Sequence, residues 1–205
     1  MNYLEYFFPG TIVLIILFTA IFSTISIIED RREGFLQSVL VAPISQMSIA
    51  LGKILGGTFL SLFQAIILLV LTPVIGISLD FESLIIIFFS LFIVSFGLTG
   101  LGCMIAWRMD STQGFHAIMN LFLIPLWLLS GALFPASGAA SWLSKVMMLN
   151  PLTYGVAAIR QGLYLHGSIA TQELVPLPHC LIIITLFALM TFLFSAAVVR
   201  RPLKH

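Results

Sequence analysis

The chain is predicted to be all-α and polytopic, with five transmembrane helices, a cytoplasmic amphipathic helix and re-entrant outer helices. Three observations carry that expectation. Of its 205 residues, 60% are hydrophobic and only 8% charged, nine basic and eight acidic, where average soluble usage gives about 50 charged side chains at this length. Mean hydropathy is +1.15. The charges are also clustered, leaving long charge-free runs, and a bilayer core of about 30 Å takes about 20 helical residues.

The elements follow in order. Residues 6–28 form the first span. The stretch 34–52 is also free of charge, but Gln37, Ser38, Pro43, Ser45, Gln46 and Ser48 would be poorly satisfied in hydrocarbon. It reads instead as a short amphipathic helix with Phe35, Leu36, Val39 and Leu40 on one face, ended by Pro43. A new helix then starts with Ser45 as N-cap and Ile44 and Ile49 as a hydrophobic staple, and it runs into the second span, 54–79, with Lys53 snorkelling to the interface. The third span is 83–107. The run 111–144 is longer than one span and breaks at Gly131, Pro135 and Gly138, so the fourth span is 114–134 and the fifth 177–199.

The segment 135–176 between them carries its own pattern. Ser141 is placed to cap a short helix bearing Trp142, an aromatic suited to the headgroup level. Asn150-Pro151 is an N-cap followed by Pro at the first helical position. Leu152, Val156, Ile159 and Leu163 then form a helical stripe, with Thr153, Arg160, Gln161 and Tyr164 off it, as expected of an amphipathic helix at the outer interface. Together these predict a break after the fourth span that dips back into the membrane.

Basic residues set the orientation. Arg31, Arg32, Lys53, Arg108, Arg200, Arg201 and Lys204 fall on one side and Lys145 and Arg160 on the other. The richer side is expected to be cytoplasmic, with the N-terminus outside and the C-terminus inside. The start, MNYLEYFFPG, lacks the positive region of a secretory signal, so the first apolar run is expected to persist in the mature protein. The length allows one domain, 1–205. Cys103 and Cys180 lie near opposite faces of the expected bundle and read as packing residues.

Much chemistry is excluded. A net charge of +1 offers nucleic acid no basic footprint. No Asp, Glu, Lys or Arg lies near the middle of a span, where proton and sodium relays need one. There is no phosphate-binding loop. Gly97, Gly100 and Gly102 have the reverse order of a dinucleotide fingerprint and are read as helix packing, as is the Gly52/Gly56 pair. Ser130 and His116 are about 21 Å apart along one helix, too far for a nucleophile and its base. His116, His166, His179 and His205 lack metal-ligand spacing. No catalytic, cofactor-binding or metal residue is assigned. Gln113, His116 and Asn120 share a face of the fourth span, and Ser61 and Gln64 lie in the second. Either set serves interhelical hydrogen bonds or a substrate path, and Gln64, His116 and Asn120 are the candidates for the path.

Specific blocks carry a resemblance. Tyr6-Phe7-Phe8-Pro9-Gly10, the run Glu29-Asp30-Arg31-Arg32-Glu33-Gly34-Phe35 to Pro43, Gly52-Lys53-Ile54, Leu129-Ser130-Gly131-Ala132-Leu133-Phe134-Pro135, Trp142-Leu143, Asn150-Pro151-Leu152-Thr153-Tyr154 and Arg160 occur in that order. They resemble the permease of type 2 ABC exporters, the drug-resistance and polysaccharide-export family, over nearly the whole chain. The departures are Phe35, where the family usually has Thr, and Ala139-Ala140, where Leu-Pro is common.

The resemblance implies a non-enzymatic subunit in a bacterial cytoplasmic membrane, exporting a drug, lipid or polysaccharide-like substrate. It would pair as a homodimer or with another permease, surrounded by lipid. ATP and magnesium would be held by separate ATPase subunits, which would touch the cytoplasmic segment 29–53 through Glu29, Arg31, Arg32, Glu33, Gly34 and Pro43. Alternating access would follow from ATP-driven closure of those subunits. The family's usual first span has no counterpart in this chain, so the expectation is a truncated or misassigned start or a five-span variant. The alternative function is a truncated or accessory membrane protein without transport of its own.

Overall fold

A computed structural model describes residues 3–35, 45–135, 139–165 and 175–200. Among these the chain forms nine helices and no strand: α1 (Tyr3–Phe22), α2 (Ile25–Arg32), α3 (Gln46–Leu69), α4 (Thr72–Ile75), α5 (Phe81–Ala106), α6 (Thr112–Leu128), α7 (Ser141–Leu149), α8 (Pro151–Leu163) and α9 (Leu177–Val199). The predicted helix through Leu36, Val39 and Leu40, its terminator Pro43 and the staple residue Ile44 lie outside the described residues. So do Gly138, His166, His205, Arg201 and Lys204.

Four stretches are long and apolar enough to cross a membrane: Glu5–Arg32, α3, α5 and α9. Helix α6, in the place of the predicted fourth span, has 17 residues and ends at Leu128 rather than 134. At 1.5 Å per residue it is about 25 Å long.

Two predicted spans are interrupted, each for a local reason. The first breaks at Ser23–Thr24 between α1 and α2. There Ser23 and Thr24 donate their hydroxyls to the carbonyls of Ala20 (2.8 Å) and Ile21 (2.6 Å), and Ser26 donates to that of Ser23 (3.0 Å). Hydroxyls that bond back to the preceding turn compete with the helical ladder. The second, predicted over 54–79, is cut short: α3 stops at Leu69 and α4 closes at Gly76 (φ +86°). Pro73, at the start of α4, has no N–H and its ring clashes with the preceding turn. At its other end α3 begins as predicted, with the Ser48 amide donating 3.1 Å to the Ser45 hydroxyl.

Helix α5 is the hub, packing against α9, α3, α8 and α1. Lipid tails are as apolar as leucine, so close packing rather than expulsion from water must hold the helices together. The glycines of α5 permit it. A Cβ on Gly97 would stand 2.8 Å from Phe187 Cδ1 of α9, one on Gly100 3.0 Å from Thr191 Oγ1, and one on Gly102 2.9 Å from Thr24 Oγ1 at the α1/α2 break. Gly52 and Gly56 are exposed, with nothing within 4 Å of either added Cβ, so the packing expected of them is not made against any part of the described chain. Cys103 and Cys180 are buried and free, as expected.

Replacing Gly97 by Val should separate α5 from α9 and cost about 1–3 kcal/mol, whereas Gly56→Ala should melt at or slightly above the wild-type temperature, since Ala favours the helix. Thermal unfolding of the detergent-purified protein checks both, and equal melting of the two variants would refute the contrast.

Candidate functional site

Three regions bear polar groups with defined partners or a shared face. The first is the end of the bundle where α1 begins. Pro9 lies inside α1 and has no N–H to offer the carbonyl of Glu5. The Tyr164 hydroxyl donates to that carbonyl instead, at 2.7 Å. Burial, with the Glu5 charge close by, pushes the pKa of this hydroxyl up to about 12. One helical turn earlier in α8, Arg160 donates through Nη2 to the carbonyls of Gly131 (3.1 Å) and Tyr6 (3.3 Å). Its Cζ sits 4.0 Å from the centroid of the Tyr6 ring, a cation–π contact, and the Tyr6 hydroxyl donates to the same Gly131 carbonyl at 2.9 Å.

Gly131 can present that carbonyl because it adopts φ +75°, where a side chain would be strained. The same loop abuts α1 at Gly10, whose added Cβ would fall 2.6 Å from Ala132 Cβ, and Trp127 Nε1 donates 2.8 Å to the Gly10 carbonyl.

Arg160 corrects the sequence prediction, which puts it on the polar side of an interfacial helix: it is 3% exposed. Helix α8 is buried almost all round, with Gly155 against Val94 and Gly162 against Ile87 of α5. Gln161 donates to the Val175 carbonyl ahead of α9 (2.9 Å), and the other polar residues serve the breaks. Asn150 caps α8 through the Leu152 amide (3.0 Å) while its Nδ2 donates to the Leu126 carbonyl (2.6 Å). Thr153 donates to the carbonyl of Met147 (2.6 Å), and Tyr154 to that of Met148 (2.8 Å). Helix α7 exists as expected with Trp142 exposed, but Ala140 rather than Ser141 is its N-cap.

The second region, the α1 groove, is a set of polar side chains on the two helices beside α1. The Thr19 hydroxyl donates to Oε1 of Gln64 on α3. Three residues further along α1, the Phe22 ring lies 4.7 Å from the His116 ring of α6. Residues three apart on a helix are neighbours, so Gln64 of α3 and His116 of α6 reach the same turn of α1. Asn120 lies one turn from His116 on α6, and all three are exposed. Ser61 is instead buried, bonded to the Gly57 and Thr58 carbonyls of its own helix.

The third region is the charged end, at α2. Glu29, Arg32 and Glu33 share its outward face and are exposed. Gly34 follows at φ +79°, with open space where a Cβ would be. Arg31, grouped with them from the sequence, points inward: it donates to the carbonyls of Trp107 and Met109 (3.3 Å to the latter) and pairs with Asp110 at 3.0 Å. Its side chain is 15% exposed, against 91% for Asp110. Lys53, expected to snorkel, is paired with Asp30, which the sequence offers only as part of the block from Glu29 to Pro43. Pro43 lies outside the described residues.

Comparison with known proteins gives one consistent result. A family model described as "ABC-2 type transporter" matches residues 1–164. The protein ycf38 of Cyanophora paradoxa, named as a transport permease, is 36% identical over 82% of this chain and 58% of its own length. YbhR of Escherichia coli, named as a multidrug ABC transporter permease, is 27% identical over 65% of this chain and 36% of its own length. The linearmycin resistance permease protein LnrN of Bacillus subtilis is 25% identical over 74% and 39%. The chain thus spans about half the length of the curated relatives it matches.

Arg160→Met should leave two carbonyls without their cationic donor and lower stability by about 1.5–3 kcal/mol, and Tyr164→Phe by about 0.5–1.5 kcal/mol. Melting of both variants in detergent measures the difference, and Arg160→Met melting with the wild type would show that the guanidinium does not hold the Gly131 loop and α1 together.

Proposed function

The chain belongs to the ABC-2 type transporter family, and from that premise we propose that it is the membrane permease subunit of an ATP-driven exporter, with hydrolysis on a separate ATPase. The observation that carries this reading is the division of labour on α2. Glu29, Arg32 and Glu33 face outward while the adjacent Asp30 and Arg31 anchor the helix, as a docking surface for another protein requires. The ATPase would hold ATP and magnesium and press on this face and on the segment through Gly34 to Pro43. The charged end is then cytoplasmic, with the N-terminus outside, in agreement with the distribution of Lys and Arg.

Five spans follow if α6 crosses beside the four longer stretches, with α7 and α8 forming a re-entrant segment before α9, all within one domain. Gln64, His116 and Asn120 open outward from a single chain. Enclosing them takes a second permease, identical or related, which would make the α1 groove one wall of the substrate path. Apolar residues around these few polar groups suit an amphipathic or lipid-like substrate, in keeping with relatives named for multidrug transport and linearmycin resistance.

Co-expression with the ATPase should yield a complex that co-purifies through the membrane protein, and Gly34→Pro or Glu33→Lys should lower substrate-stimulated ATP hydrolysis without loss of membrane insertion. Full hydrolysis in both variants, or a transport-competent preparation free of any ATPase, would overturn the assignment.

A further inference from the structure

The two ion pairs on α2 lead to different helices. Asp30 reaches Lys53 on α3, eleven residues before Gln64. Arg31 reaches Asp110, directly before Ser111, whose hydroxyl accepts the Gly114 amide at 3.2 Å and caps α6. His116 and Asn120 follow on that helix. Adjacent residues of one short helix therefore hold the two helices that flank the α1 groove.

The manner of attachment matters. Helix α2 packs through buried Ile27 and Ile28 in the apolar core and lies against α5 and α6. Its tie to α3 is the Asp30–Lys53 pair, in which both side chains are between one-fifth and one-third exposed. Arg31 adds bonds to the carbonyls of Trp107 and Met109 at the end of α5. Behind α2, the Ser23–Thr24 break separates it from α1. A load on the outward face of α2 would reach α3 and α6 through these two ion pairs, beside the packing of Ser23 on Gly57 of α3 and of Thr24 on Gly102 of α5.

We infer that Asp30 and Arg31 form a fork that couples the cytoplasmic docking face to both walls of the groove, the Asp30–Lys53 arm moving α3 and the Arg31–Asp110 arm moving α6. These are positioning residues: neither touches nucleotide or substrate. The inference rests on the permease reading above and adds to it which side chains transmit the motion and to which helix.

The test uses the purified complex of this chain with its ATPase in lipid nanodiscs. Spin labels are placed on Leu60→Cys of α3 and Leu121→Cys of α6, both exposed positions. The label separation is measured without nucleotide and with ATP plus vanadate. The wild-type fork should give an ATP-dependent shift in separation. Lys53→Met should abolish the α3 contribution while ATP is still bound and hydrolysed, and the double reversal Asp30→Lys with Lys53→Asp should restore the shift, an outcome that a merely structural role for Lys53 does not produce. Asp110→Asn should reduce the shift through the other arm. A full shift in Lys53→Met and Asp110→Asn, with the wild type responding, overturns the fork and leaves the permease reading standing. A wild-type complex that binds ATP with no shift overturns the permease reading and the fork with it.

Discussion

In a chain with so few charges, every helix break within an apolar bundle exposes backbone carbonyls that no solvent can satisfy, and an unpaired buried polar group costs about 1–3 kcal/mol. The architecture is organised around meeting that demand. Helix α8 meets most of it at one end: Asn150, Thr153, Tyr154, Arg160 and Tyr164 each donate to a carbonyl at the end of α6, the end of α7, the loop at Gly131 or the Pro9 break in α1. These donors come from a single helix, so the breaks are locked together rather than capped one by one. That accounts for the blocks around Tyr6, Gly131 and Arg160, far apart in sequence, meeting at one place.

The charged end obeys the same rule with a different outcome. Arg31 answers the carbonyls at the end of α5 much as Arg160 answers those at Gly131. Its carboxylate partner Asp110, however, is almost fully exposed, and the neighbouring Asp30–Lys53 pair is partly so. Ion pairs in such surroundings are individually weak. One end of the bundle is therefore closed by buried and partly buried donors to carbonyls, and the other by Arg31 together with two ion pairs that reach the surface.

The sequence is most legible where the signal is local. Charge-free runs locate the long helices, and Ser45 and Asn150 mark their caps, because hydropathy and capping depend only on neighbours in the chain. The interruption at Ser23–Thr24 is hidden because hydroxyls are tolerated in helices, and only their bonds to Ala20 and Ile21 reveal the break. Helix α8 misleads because an arginine in a loop segment reads as a sign of water. A usable signal is present: Gly155, Ala157, Ala158 and Gly162 are small residues on the sides of α8 away from its apolar stripe, and a helix small on several faces packs on several faces. The Asp30–Lys53 pair cannot be read, since its partners are brought together by the packing of separate helices. The tendency of Gly52 and Gly56 to mark a contact is legible; that the contact is not made within the described chain is not.

Helix α1 joins these two regimes. Near its start Pro9 leaves the Glu5 carbonyl without a helical donor, and Tyr164, Arg160 and Trp127 donate to the carbonyls of Glu5, Tyr6 and Gly10, so this end is tied to α8 and α6. At its other end the Ser23–Thr24 break seats against Gly102 of α5, where the missing Cβ lets Thr24 approach. The same break also packs on α3, where Gly57 leaves room for the Ser23 side chain, so the end of α1 is seated between two helices at two glycines. The groove bearing Gln64, His116 and Asn120 lies along the outward face of α1 between these ends. There the Thr19–Gln64 bond ties α3 to α1, while α6 meets α1 through the contact of the His116 and Phe22 rings, so the two helices beside α1 are held to it by different chemistry.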